Sequence, residues 1–154
     1  MKIFQRRAAQ IALAVSTALL GVAGTTLSAS ASSTFTLHNV ATGRCIDSNT
    51  SGSAYMLTCN GGNYQNWYYL GTSWNGAYLL VDAQTGRCIR PTGSVSIGTA
   101  SCNSNDAYEA WIPVSANGHT RFDNVVNGDA LDANNTYVYY GTPNGGNYQL
   151  WNRI

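Results

Sequence analysis

Asn60-Gly-Gly-Asn-Tyr-Gln-Asn-Trp67 returns near the C-terminal end as Asn144-Gly-Gly-Asn-Tyr-Gln-Leu-Trp151, changed at one position, and a degraded copy ending Tyr108-Glu-Ala-Trp111 lies between them. A second motif precedes each: Asn39-Val-Ala-Thr-Gly-Arg-Cys-Ile-Asp47, Asp82-Ala-Gln-Thr-Gly-Arg-Cys-Ile-Arg90 and Asn124-Val-Val-Asn-Gly-Asp-Ala-Leu-Asp132, spaced by 43 and then 42 residues. The chain is a threefold internal repeat, with copies over about 35–75, 76–117 and 118–154. A unit of about 40 residues cannot bury its apolar face alone, so the copies must pack on one another.

Within each copy, short stretches rich in β-branched and aromatic residues (35–40, 54–59 and 66–70 in the first) alternate with Gly, Asn and Ser turns. No stretch after residue 31 sustains a helical apolar period. Roughly four strands per copy predict about twelve in one closed all-β domain, and no second domain is expected within these residues.

Residues 1–31 combine a basic start (Lys2, Arg6, Arg7), an apolar run from Ala8 and a small-residue Ala29-Ser30-Ala31 site. That pattern predicts a signal peptide, hence a secreted protein, with domain 32–154 remaining. The domain carries five Arg, no Lys, six Asp and one Glu, a formal charge of −2. Five scattered arginines make neither the basic stripe of a nucleic-acid binder nor a polybasic membrane patch. Four cysteines in an exported chain point to disulfides. Cys45 and Cys59 are as far apart as Cys88 and Cys102, so the repeat favours one bridge within each of the first two copies. The third copy has Ala130 and Pro143 at those places.

The Gln-x-Trp elements Gln65-Asn-Trp67 and Gln149-Leu-Trp151, with Glu109-Ala-Trp111 as a variant, resemble the ricin-B-type β-trefoil lectins, also classed as family 13 carbohydrate-binding modules. The likeness covers about residues 35–154. It implies a β-trefoil in which Trp67, Trp111 and Trp151 pack in the shared core while Gln65 and Gln149 support turns. Similarity of the first copy to a mannose-binding branch of the family implies a sugar site made of Asp47, Tyr55, Leu57, Asn60 and Tyr64. By the same likeness the third copy offers Asp132, Tyr139 or Tyr140, Asn144 and Tyr148, with Gly141 in place of Leu57 and a loop one residue shorter. The residue types suit the chemistry: a carboxylate or amide takes adjacent hydroxyls, and aromatic or aliphatic faces cover the ring's C–H surface. Asp47, read as part of the loop after Cys45, would be held yet reachable. The second copy has Arg90 where the acid should stand, no aromatic across 94–101 and Ser104-Asn-Asp for the paired glycines, so its site should be silent.

The expected function is recognition of mannose- or galactose-type glycans through two shallow sites, by a monomer without cofactor or metal. Asp47 and Asp132 occupy equivalent places in different repeats, unlike the paired carboxyl groups of a glycosidase. His38 and His119, read as loop or strand-end residues, lack metal-ligand spacing, so no enzymatic activity is expected. The alternative is a secreted β-trefoil that binds proteins or inhibits proteases, for example through an exposed loop at 72–76 containing Trp74. Intact-mass analysis and peptide mapping of secreted material should find cleavage after Ala31 and the bridges Cys45–Cys59 and Cys88–Cys102. A mature chain beginning before Ala29 would overturn the export assignment.

Overall fold

A computed structural model describes residues 33–154; the expected signal peptide, 1–31, lies outside the described residues. Twelve short strands follow one another: β1 Phe35–Asn39, β2 Cys45–Ser48, β3 Ala54–Leu57, β4 Asn66–Gly71, β5 Tyr78–Asp82, β6 Arg87–Pro91, β7 Ile97–Ser101, β8 Trp111–Ala116, β9 His119–Asn124, β10 Ala130–Ala133, β11 Val138–Gly141 and β12 Trp151–Arg153. One 3-10 turn precedes the last strand of each repeat: Asn63–Gln65, Ala107–Glu109 and Asn147–Gln149. No helix among these residues is long and apolar enough to cross a membrane.

The pairings β1–β4, β4–β5, β5–β8, β8–β9, β9–β12 and β12–β1 close a six-stranded barrel, all antiparallel. The remaining strands form three hairpins, β2–β3, β6–β7 and β10–β11. Barrel plus three hairpins is a β-trefoil. The hairpins are tied in a cycle: Thr99 N donates to Gly52 O (2.8 Å), Tyr140 N to Val95 O (3.0 Å) and Met56 N to Thr136 O (2.9 Å). Each hairpin tip thus accepts from the strand of the next.

Leu37, Ile46, Trp67, Leu80, Ile89, Trp111, Phe122, Leu131 and Trp151 are fully buried in one cluster spanning all three repeats. Each indole N–H must find an acceptor there. Trp67 donates to Ile46 O (3.2 Å), Trp111 to Ile89 O (3.3 Å) and Trp151 to Leu131 O (3.1 Å), so each tryptophan pins its repeat's hairpin to the barrel. Both histidines stand near strand ends: His38 is the penultimate residue of β1, and His119 begins β9, where its Nδ1 meets Asn152 Oδ1 at 2.7 Å.

The disulfides Cys45–Cys59 and Cys88–Cys102 form, each closing a 14-residue separation. Such a loop contributes on the order of 3 kcal/mol by restricting the unfolded chain. Repeat three has no such tie; there Tyr140 packs against the core and its hydroxyl donates to Gly93 O of repeat two at 3.0 Å.

Threefold equivalence also exposes one mismatch. Asn39 Nδ2 donates to Tyr148 O at 2.8 Å, and Asn124 Nδ2 to Tyr108 O at 2.9 Å, across successive repeat junctions. Asp82 stands at the third such place. Its Oδ1 accepts from Gln84 N and Thr85 N, whereas Oδ2 is buried with no partner. A carboxylate has no donor where the other repeats place an amide NH₂. Asp82→Asn should therefore stabilise the domain by about 1 kcal/mol, a rise in thermal midpoint of about 3–5 °C. An unchanged or lower midpoint would mean that Oδ2 is already satisfied.

Candidate functional site

The hairpin of repeat one places Asp47 on β2 directly opposite Tyr55 on β3. Asp47 sits in a strand, not in the loop expected from sequence, and is only 5% exposed. Gln65 organises its surroundings: Nε2 donates to Asp47 Oδ2 at 2.9 Å and to Thr58 O at 3.1 Å, while Oε1 accepts from Asn60 N at 2.9 Å. One buried amide therefore aims the carboxylate and anchors the asparagine loop. Gln65 engages only Oδ2, so it leaves the lone pairs of Asp47 Oδ1 to other donors.

Asn60 folds its own loop, accepting from Gly62 N through Oδ1 at 2.7 Å. A Cβ at 62 would lie 2.9 Å from Asn60 Oδ1, so a larger residue there would displace the asparagine side chain from this bond. Tyr55 donates to Ser48 O at 3.3 Å. Burial first, then a hydrogen bond to and the charge of Asp47, with a smaller effect of Tyr64, raise its phenol above the usual value. It stays a neutral donor through the physiological range. Leu57 and Tyr64 are exposed beside this cluster.

Repeat three reproduces the glutamine-centred network, although Asp132 Oδ1 also accepts from Ala133 N at 2.7 Å. Gln149 Nε2 donates to Asp132 Oδ2 (3.0 Å) and Thr142 O (3.1 Å), its Oε1 accepts from Asn144 N (2.9 Å), and Gly146 N donates to Asn144 Oδ1 (2.7 Å). Tyr139, not Tyr140, stands opposite Asp132. Burial, then Asp132, raise the Tyr139 phenol in the same way, with Tyr148 contributing least. Gly141 falls at the register position of Leu57, opposite Ala130 as Leu57 is opposite Cys45.

Repeat two keeps the frame and reverses its polarity. Glu109 accepts from Asn103 N at 2.8 Å, as Gln65 does from Asn60, and Asn105 N donates to Asn103 Oδ1. In place of an amide donating to a carboxylate, the Arg90 guanidinium donates to Glu109 Oε1 at 3.1 Å, with Asp106 at 3.6 Å. The variant Glu109 and the absent acid are thus one paired change. Burial raises the Glu109 carboxyl above its usual value, opposed by Asn103 N–H and Arg90. Opposite Arg90 stands Gly98, where a Cβ would meet Gly52 O at 2.7 Å, so no tyrosine fits. Asn103 and the exposed Tyr108 occupy the places of Asn60 and Tyr64; the tyrosine just before Glu109 was the available signal.

A family model, described as the ricin-type β-trefoil lectin domain, matches residues 33–152. The chain belongs to that family. Among solved structures, the Rhizoctonia solani agglutinin superposes with a TM-score of 0.70 at 21% identity, covering 80% of this chain and 94% of that one. ThreeFoil, a designed threefold-symmetric protein, gives 0.69 at 22%, covering 79% and 97%. SeviL, bound to asialo-GM1 saccharide, gives 0.68 at 14%, covering 80% and 97%. At these identities the likeness concerns the fold. Among the described residues of this lectin-family chain, no group of three His, Cys, Asp or Glu side chains is placed to hold a metal.

Because Arg90 and Glu109 form one half-buried pair, Arg90→Asp or Glu109→Gln alone should each cost about 1–3 kcal/mol or more by leaving the remaining charge without its partner. The double change Arg90→Asp with Glu109→Gln recreates the pairing of the other repeats and should recover most of that loss in a denaturant double-mutant cycle. Additive losses would disprove the coupling.

Proposed function

We propose that the chain is a secreted lectin that binds glycans through two shallow sites, one in repeat one (Asp47, Tyr55, Leu57, Asn60, Tyr64) and one in repeat three (Asp132, Tyr139, Asn144, Tyr148). The observation that carries this reading is the duplicated network in which a buried glutamine aims a carboxylate beside a phenol and an exposed asparagine. Membership of the lectin family supports the ligand class, and the two disulfides suit an extracellular setting. In such a site the carboxylate accepts from one or two sugar hydroxyls, the asparagine amide spans a neighbouring pair, and the tyrosines cover the ring. Repeat two, with Arg90 for the acid and Gly98 for the ring, is silent.

Each site is open and small, so its dissociation constant falls on the order of 0.1–1 mM. Strength comes from simultaneous engagement of two glycan branches, which raises avidity by about 10²–10⁴ over one site. The sugar is of mannose or galactose type.

A glycan array followed by calorimetry with the best small sugar tests this reading. About two equivalents should bind per chain; Asp47→Ala and Asp132→Ala should each remove one, through loss of charged hydrogen bonds worth about 1.5–3 kcal/mol. Arg90→Ala should lower stability and leave the count at two, and the double change at Arg90 and Glu109 should add no third site. On a densely glycosylated surface either single aspartate variant should lose far more than half the avidity. Binding to a protein with no glycan bound would favour the protein-recognition alternative instead.

A further inference from the structure

The cycle of hairpins creates rows of residues that cross from one repeat into the next. Asp47 on β2 is opposite Tyr55 on β3, and Tyr55 is bridged in turn to Tyr137, immediately before β11 in repeat three. The equivalent rows are Asp132, Tyr139 and Ser96, and Arg90, Gly98 and Ser53. Directly opposite residues on antiparallel pairs project from the same face of a sheet. The third member of each row therefore flanks a site belonging to a neighbouring repeat.

The two candidate sites are unequal at this position. Beside Asp47 and Tyr55 stands a tyrosine that is 66% exposed; beside Asp132 and Tyr139 stands a serine. Leu57 widens the difference, since repeat three has Gly141 at that place. Two strand spacings separate Tyr137 from Asp47, about 10 Å, farther than one pyranose ring held at the carboxylate extends. Tyr137 is held at its backbone, its N–H donating to Asn134 Oδ1 at 2.8 Å, so its ring is presented from a fixed turn. A tyrosine there supplies broad amphipathic area at low entropic cost.

We infer that repeat one is an extended site, in which Asp47 and Asn60 hold a terminal sugar and Tyr137 stacks on the next unit of the glycan, whereas repeat three recognises the terminal unit alone. This rests on the carbohydrate reading of the Asp47 and Asp132 sites. It makes Tyr137 the residue that sets specificity for chain length, although no motif of the first repeat contains it.

The experiment isolates each site: Asp132→Ala leaves repeat one and Asp47→Ala leaves repeat three, each titrated by calorimetry with mannose and mannobiose and with galactose and lactose. At repeat one the disaccharide should bind about three- to tenfold more tightly than its terminal monosaccharide, and at repeat three no more tightly. Tyr137→Ser in the first background should erase that advantage and leave monosaccharide affinity unchanged, while Tyr137→Phe keeps it. Ser96→Tyr in the second background should create an advantage where none existed, with thermal melts confirming that each variant folds. A disaccharide preference that survives Tyr137→Ser, or one equal at both sites, overturns the inference and leaves the lectin reading standing. Loss of monosaccharide binding in Tyr137→Ser overturns it too, by placing Tyr137 in the primary site. Failure of the wild-type protein to bind any of these sugars removes both readings.

Discussion

Three backbone hydrogen bonds, from Thr99 N to Gly52 O, Tyr140 N to Val95 O and Met56 N to Thr136 O, bind the hairpins into a cycle on which the rest of the molecule depends. Alone, each hairpin is a two-stranded ribbon, marginal in water. Locked to its neighbours, each becomes a platform whose register is settled by its partner, and that register sets which side chains stand abreast. The indole N–H bonds of Trp67, Trp111 and Trp151 then hold each platform on the barrel. The same cycle limits what repeat two can become, because the approach of Gly52 O leaves space only for Gly98.

Within that frame the repeats have diverged in units of interaction rather than of residue. A buried amide donating to a carboxylate in repeats one and three becomes a guanidinium donating to a carboxylate in repeat two, and in all three the long buried side chain still accepts from the asparagine loop. Burying a charge without a partner is far costlier than exchanging the polarity of a satisfied pair, so Arg90 and Glu109 are tolerated only together. Asp82 is the exception. It kept one accepting oxygen and lost the donor, leaving an oxygen buried and bare.

The fold was legible because repetition is a property of the whole chain: the spacing of the Gln-x-Trp and Asn/Asp-to-Cys-Ile motifs implied three equivalent units, about twelve strands and both disulfide pairings. The candidate site's residues were given by resemblance to the lectin family, and three of them, Asp47, Asn60 and Tyr64, stand inside the repeated segments. Less legible was how those residues are held. That Gln65 aims Asp47 and that Glu109 answers Arg90 are contacts between side chains about 18 residues apart, which no period reveals. Least legible was Tyr137, whose place beside Tyr55 depends on pairing across 82 residues.

The pair β1 and β12 joins the first and last strands of the barrel, with Leu37 opposite Arg153. Ring closure therefore waits for the last strand of the barrel, and loop-closing contacts of such span make for slow acquisition of structure. Until then β1 has an open edge on its β12 side. Before β12 docks, that edge presents unpaired backbone groups to any other strand, so the last strand also guards the first against edge-to-edge pairing.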